Sequence, residues 1–180
     1  MSTFTLNTTA NEVAWRNLGT RCRSFTTPVT INEAVQSIGA DYNVKKETLV
    51  RVPDFVIDSI YNGTNENITL SKENIITSHM ATIREDTNTT LGVVGSKYGV
   101  VQNNKAFEFI DIITSGELNG TQQPVIETAG ILGDGERVYV TAKMPSKLFI
   151  DGDDSEGIDD YILFTNSHDG SGAVTILFTP

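Results

Sequence analysis

The run Asn166-Ser-His-Asp-Gly-Ser171 concentrates residue types that can do chemistry. Ser167, His168 and Asp169 are the types of a hydrolytic triad. Three consecutive side chains cannot form that relay, however, because it is a spatial arrangement drawn from separate elements. His168 and Asp169 offer two ligands for a cation, and the acidic run Asp151–Asp160 is a source of more. That run fails the calcium-loop pattern: counted from Asp151, the glycine position holds Glu156 and the closing glutamate position holds Ile162. It reads as a solvated acidic loop. Gly170 and Gly172 would let backbone N–H groups face a phosphate. A structural turn is the leading reading of the run, ligand or nucleic-acid contact the second, catalysis the last. Asn166, His168, Asp169 and Gly170 are its residues of interest. The chain has no G-x-G-x-x-G, Walker A, H-E-x-x-H or C-x-x-C pattern, so no catalytic residue, metal or cofactor is assigned.

Elements must hold that loop in place. Tyr161–Thr165 and Ala173–Thr179 are β-favouring runs on either side of the turn-rich Asn166–Gly172, which is a hairpin signature. The spacing predicts a helix over Thr30–Ile38. Thr30 and Glu33 stand at capping-box spacing, Ile31, Ala34, Val35 and Ile38 form one stripe, and Gly39 supplies the stop. Asp41–Val52 reads as strands broken near Lys45–Glu47 and ended by Pro53. Phe55–Ile60 is a short strand or a helical turn, and Asn62–Asn67 a loop. Ile75–Glu85 is a strand carrying His79 as a structural residue, and Ile83–Val94 a hairpin. A second helix starts at Lys105, capped by Asn103 or Asn104, and ends at Gly116. Phe107, Phe109, Ile110, Ile112 and Ile113 make it apolar over most of its circumference, so burial is expected. Val125–Leu132 and Arg137–Met144 form another hairpin through Gly133-Asp-Gly-Glu136. Its second strand has Val138, Val140 and Ala142 on a dry face, Arg137, Tyr139, Thr141 and Lys143 on a wet one, and Pro145 as its stop.

The expected fold is therefore α+β: mainly antiparallel sheet built from hairpins, with two principal helices packed on it. Residues 1–14 read as a polar arm and 15–180 as a single domain. An apolar strand running into the terminus suggests that the domain continues or is truncated there, or that an edge needs cover. The 180 residues include 23 acids and 13 bases, a net charge of −10. That charge opposes non-specific attraction to nucleic acid or anionic membrane. No window approaches the ~18 apolar residues of a membrane span, and no membrane partner is expected. The single cysteine, Cys22, cannot form an internal disulfide and fits a reducing compartment, hence a cytoplasmic expectation. Its neighbours Arg21 and Arg23 do not make it a nucleophile, since no histidine lies nearby in sequence. Trp15 reads first as a packing anchor.

Several features, in order, resemble the phage/plasmid-like proteins that carry a domain of unknown function. They are Trp15 with Leu18-Gly-Thr20; Glu33-Ala34; Arg84-Glu-Asp86 followed by Leu91-Gly-Val-Val-Gly95; Tyr98 followed by Val101-Gln-Asn103 and Ala106-Phe107; the Gly133–Val140 hairpin; and Asn166–Ser171 running to Thr179-Pro180. Members usually continue past this Thr-Pro, so the chain resembles the N-terminal portion of such a protein. The resemblance implies occurrence on phages and plasmids, among replication and recombination genes, which is association and not mechanism. The leading hypothesis is a non-catalytic mobile-element accessory protein of DNA metabolism that binds single-stranded DNA. Arg16, Arg21, Arg23, Arg84, Lys97 and Lys105 are then the phosphate contacts, and Trp15 or Tyr98 the stacking platform. The alternative is a protein–protein interaction module: a virion component, or an acidic DNA-mimicking inhibitor of a host protein. The net charge favours this alternative. A metal-dependent enzyme built on His168 and Asp169 ranks third.

Overall fold

A computed structural model describes residues 21–63, 71–114, 123–149, 157–172 and 174–179. The polar arm, Trp15, Arg16, Gly116 and residues 151–156 of the acidic run lie outside the described residues. The fold is α+β with two antiparallel sheets. One has five strands in the order β1 (Cys22–Ser24), β5 (Val125–Leu132), β6 (Arg137–Phe149), β7 (Gly157–Ser167), β8 (Thr175–Thr179). The other is a meander of β2 (Val44–Val50), β3 (Ile75–Arg84) and β4 (Thr89–Gly95). Helices α1 (Ile31–Ser37) and α3 (Asn103–Thr114) pack on each other and on the five-stranded sheet, α1 over β5 and α3 over β7. Helix α2 (Asp54–Asn62) and a 3-10 turn (Lys72–Asn74) stand between β2 and β3.

Helix α1 forms as its spacing predicts. The Thr30 hydroxyl accepts from the Glu33 amide at 3.3 Å, and the Glu33 carboxylate accepts from the Thr30 amide at 2.8 Å. Gly39 then takes φ +68°, which a side chain would strain. Ile31, Ala34 and Val35 turn inward to meet Phe107 and Ile110 of α3 and the alternate residues Val138, Val140 and Ala142 of β6. Ile162 and Phe164 of β7 complete that layer. Each large apolar side chain buried there contributes about 1.5–3 kcal/mol.

Four expectations need correction, and one pair of alternatives is decided. Strand β2 runs unbroken through Lys45–Glu47, because all three residues hold register with β3; its irregularity falls between Thr48 and Leu49. Of the two readings of Phe55–Ile60 the helical one holds: the run lies in α2, which Pro53 starts and Gly63 ends at φ +67°. Helix α3 starts at Asn103, two residues early, and only one side of it is buried: Phe109 and Ile112 are exposed. Pro145 does not stop β6. It sits where the register with β7 shifts between Lys143 and Lys147, an irregularity that does not need its missing N–H. Finally, Tyr139 and Thr141 are buried rather than wet. The Tyr139 ring lies over Gly130, where a Cβ would come within 2.5 Å of it, and the Thr141 hydroxyl pairs with that of Thr128. The hairpin of β7 and β8 is confirmed, with Thr165 opposite Thr175 and Tyr161 opposite Thr179.

Candidate functional site

The turn after β7 joins the two sheets. Strand parity sends Ile162, Phe164 and Asn166 to the helix side, and His168 ends up fully buried. Its carbonyl accepts from the Thr82 hydroxyl of β3 at 2.7 Å, and its amide donates to the Glu136 carbonyl in the β5–β6 turn at 2.7 Å. Asp169 lies with its backbone on Gly92 of β4, so close that a Cβ at Gly92 would sit 2.6 Å from the Asp169 Cα. Gly170, at φ +79°, fits beside Val94. The positive φ and these close approaches explain a glycine at each place.

Around His168 lies a polar network in the interior. Its Nε2 is 2.9 Å from the Asn103 Oδ1, which also accepts from the Asn166 amide at 2.9 Å. The Asn103 amide donates to the Ala40 carbonyl at 2.9 Å, and the Asn166 amide also donates to the Val101 carbonyl at 2.9 Å. Because Asn103 Oδ1 can only accept, Nε2 carries the proton and Nδ1 is left bare, buried and without a partner. Burial pushes the imidazole pKa down to about 4, so the ring is neutral at pH 7. Tyr42 meets the ring edge-on at 6.1 Å and donates its hydroxyl to the Gly135 carbonyl at 2.7 Å.

Ser167, His168 and Asp169 make no catalytic relay. The Ser167 hydroxyl donates to Asp169 Oδ1 at 2.6 Å, on the opposite side of the strand from the imidazole. The Ser171 amide also donates to that oxygen at 2.8 Å, and Arg137 approaches the carboxylate at 3.5 Å. These bonds hold Asp169 down to a pKa of about 2 despite its partial burial. The carboxylate thus serves as the clasp of a turn. Among the described residues, no group of three or more His, Cys, Asp or Glu side chains stands at metal-binding distance.

The basic residues take different places. Arg84 is buried. Its Nε and Nη2 hold Asp86 at 2.7 and 2.9 Å, Nη1 donates to the Asp134 carbonyl at 3.0 Å, and the guanidinium stacks 3.9 Å over Tyr42. It locks the β5–β6 turn to the meander, leaving its donors turned away from the surface. Arg21 lies 3.5 Å from Asp134 and Lys105 lies 3.0 Å from Glu108. Arg23 and Lys97 are exposed, one on β1 and the other in the turn after β4. The Tyr98 hydroxyl donates to the Ser167 carbonyl at 2.7 Å, again across the joint. The structure thus gathers Asn166, His168, Asp169, Gly170, Tyr98 and Arg84 around one joint. It leaves Arg21, Arg23, Lys97 and Lys105 on separate elements.

One feature escaped the sequence reading. Helix α2 seats itself through Val56 and Ser59, both buried. Ile57, Ile60 and Tyr61, at i, i+3 and i+4, point away from the protein, with Ile60 67% and Tyr61 86% exposed. Val50, Ile75 and Ile76, at the adjoining ends of β2 and β3, are exposed as well, so an apolar surface covers this arm of the molecule. The signal was present: the run Phe55-Val-Ile has too many apolar residues for one buried stripe on so short a helix.

The sequence profile of a family described as domain of unknown function (DUF932) matches residues 90–180. No curated protein and no solved structure matches the chain significantly.

Proposed function

The chain belongs to the DUF932 family, whose profile covers just over half of it, and we propose that it works as a protein–protein interaction module. The observation that carries this reading is the outward stripe Ile57–Ile60–Tyr61 on α2. A helix that turns large apolar side chains to solvent at i, i+3 and i+4 has the pattern by which helices enter a partner's groove. Tyrosine and isoleucine there supply a large contact area on a short, anchored element. The partner's matching surface is an apolar groove, and a basic rim on it would suit the −10 charge of this chain. We place the protein in a phage or plasmid setting and in the host cytoplasm. The sequence resemblance supports the first, and a sequence with one cysteine, Cys22, which leaves no internal disulfide to form, supports the second.

Single-stranded DNA binding is the weaker reading. Arg21 and Lys105 sit beside carboxylates, and Arg84 is committed internally. The deciding experiment captures partners with the full chain from nuclease-treated lysate of phage-infected host cells. Native protein is expected to retain one protein in stoichiometric amount, and Ile60→Lys to lose it while keeping the native circular-dichroism spectrum. Equal retention by Ile60→Lys, or retention of nucleic acid alone in untreated lysate, contradicts the proposal.

A further inference from the structure

Three pairs among the described residues place asparagine or aspartate directly before glycine: Asn62-Gly63, Asp134-Gly135 and Asp169-Gly170. Such a pair can close on itself. The glycine nitrogen attacks the side-chain carbonyl carbon, and glycine hinders this least because it has no Cβ. Closure needs a side chain free to swing and a peptide plane free to turn. Asp134-Gly135 is held on both sides. The Asp134 carbonyl accepts from Arg84 at 3.0 Å, its amide donates to Glu136 at 2.6 Å, and the Gly135 carbonyl accepts from Tyr42 at 2.7 Å. In Asp169-Gly170 the carboxylate accepts from the Ser167 hydroxyl at 2.6 Å and the Ser171 amide at 2.8 Å, and Gly170 is fitted against Val94. Asn62-Gly63 is built differently. Asn62 is the last residue of α2 and is exposed, and its side chain makes no hydrogen bond among the described residues. Gly63 stands in open space: a Cβ there would meet nothing within 4 Å. The Gly63 N–H reaches back to the Ile60 carbonyl at 3.3 Å, beyond the usual range for such a bond. Terminal helical turns fray, and fraying frees that nitrogen.

We propose that Asn62 is a self-modification site, converted through a cyclic imide to aspartate and isoaspartate. The Gly63 nitrogen bonds to Asn62 Cγ, the side-chain amide nitrogen leaves as ammonia, and the proton lost from Gly63 ends on that ammonia. Water then opens the ring. Cleavage at Cγ gives aspartate, and cleavage at the main-chain carbonyl gives isoaspartate. No oxidant or reductant is consumed. Either product loosens the turn that carries Ile60 and Tyr61. Aspartate brings a negative charge to the negative end of α2, four residues from Asp58. Isoaspartate runs the main chain through its own Cβ, which lengthens the backbone and breaks the cap at Gly63. The docking stripe therefore ages. That consequence rests on the reading of α2 as a docking helix, whereas the chemistry at Asn62 does not.

The full chain is held at neutral and at mildly alkaline pH, folded in buffer and unfolded in urea, then digested and mapped by mass spectrometry. Asn62 should gain the mass of an amide-to-acid exchange, faster at the higher pH, and an isoaspartyl methyltransferase should label it. Its rate in the folded chain is expected to lie within ~10-fold of its rate in urea, because a fraying turn opens at little cost. Folding should suppress isoaspartate at Asp134 and Asp169 at least ~100-fold, because both pairs are held out of reach of closure. An Asn62 that stays intact in the folded chain while urea converts it, or equal suppression at all three pairs, overturns the proposal. Hydrogen exchange reads the consequence. In the aged native chain the amides of residues 59–62 should exchange at least ~10-fold faster than in fresh protein. Aged Asn62→Gln, whose longer side chain closes the ring poorly, should match its fresh form. Unchanged exchange in modified native chain overturns the loosening of α2. The mass map and the Ile60→Lys capture read different things, so the chemistry and the docking reading can fail separately.

Discussion

His168 shows how far a single residue's environment decides its role. Burial lowers its pKa to about 4 against an ordinary 6.5, and no acceptor faces Nδ1 to take the N–H that protonation would create. The sign follows from that depression. Between pH 6.5 and 4 the unfolded chain takes up a proton that the folded chain refuses, so stability falls as pH falls. The full shift amounts to about 3 kcal/mol at its acid limit. Urea unfolding between pH 7 and pH 4.5 should show this loss. His168→Gln, whose amide can still donate to Asn103, is expected to start about 1–3 kcal/mol lower and lose the slope. Asp169 behaves differently, because its pKa is depressed to about 2: its contribution is complete above pH 4 and lost only below that. The two windows are therefore separable. Sequence showed that this run is a turn and that its triad types are misleading. The alternation Ile162, Phe164, Asn166, His168 also encoded the histidine's inward place. The partners that bury it, Asn103 and Thr82, lie more than sixty residues away, and no local pattern names them.

At the scale of elements, helices and hairpins were legible because each carries its own punctuation: the Thr30–Glu33 box, the Asp-Gly turn, the glycine after α1. The misreadings have one cause, which is a neighbour. Tyr139 is dry because Gly130 makes room for its ring, and β6 outlasts Pro145 because β7 resumes pairing at Lys147. The contact between the hairpin turn and β4 gives a sharp test. At Gly92 a Cβ would collide with the Asp169 backbone, whereas at Gly95, at the end of the same strand, it would meet nothing within 4 Å. Gly92→Ala is expected to lower stability by about 1–3 kcal/mol, while Gly95→Ala stays within about 0.5 kcal/mol. Thermal unfolding of the two variants reads this difference. Equal melting temperatures would mean that the turn does not clasp the meander as described.

For the whole molecule, the division of labour is between a polar joint in the interior and an apolar surface on α2. The joint uses the residues that look most reactive: Arg84, Tyr42, Asn103, Asn166, His168 and Asp169. The outward stripe of α2, Ile57, Ile60 and Tyr61, carries side chains with no reactive role. The α+β class was readable from the sequence. The meeting of a five-stranded sheet with a three-stranded meander was not, because it depends on tertiary bonds between distant turns. This distribution bears on nucleic acid. Cations set beside carboxylates release few counterions, so a labelled single-stranded oligonucleotide at low salt should show no strong, salt-sensitive binding to the full chain. Tight binding that falls steeply with added salt would reverse the order of the two readings.

The most direct test of the central claim places a photoreactive phenylalanine analogue at Tyr61, with the exposed Lys45 of β2 as the control position. Irradiation in host cells should give one dominant protein adduct from position 61 and little from position 45. Equal labelling from both positions, or adducts only to nucleic acid, would contradict the account.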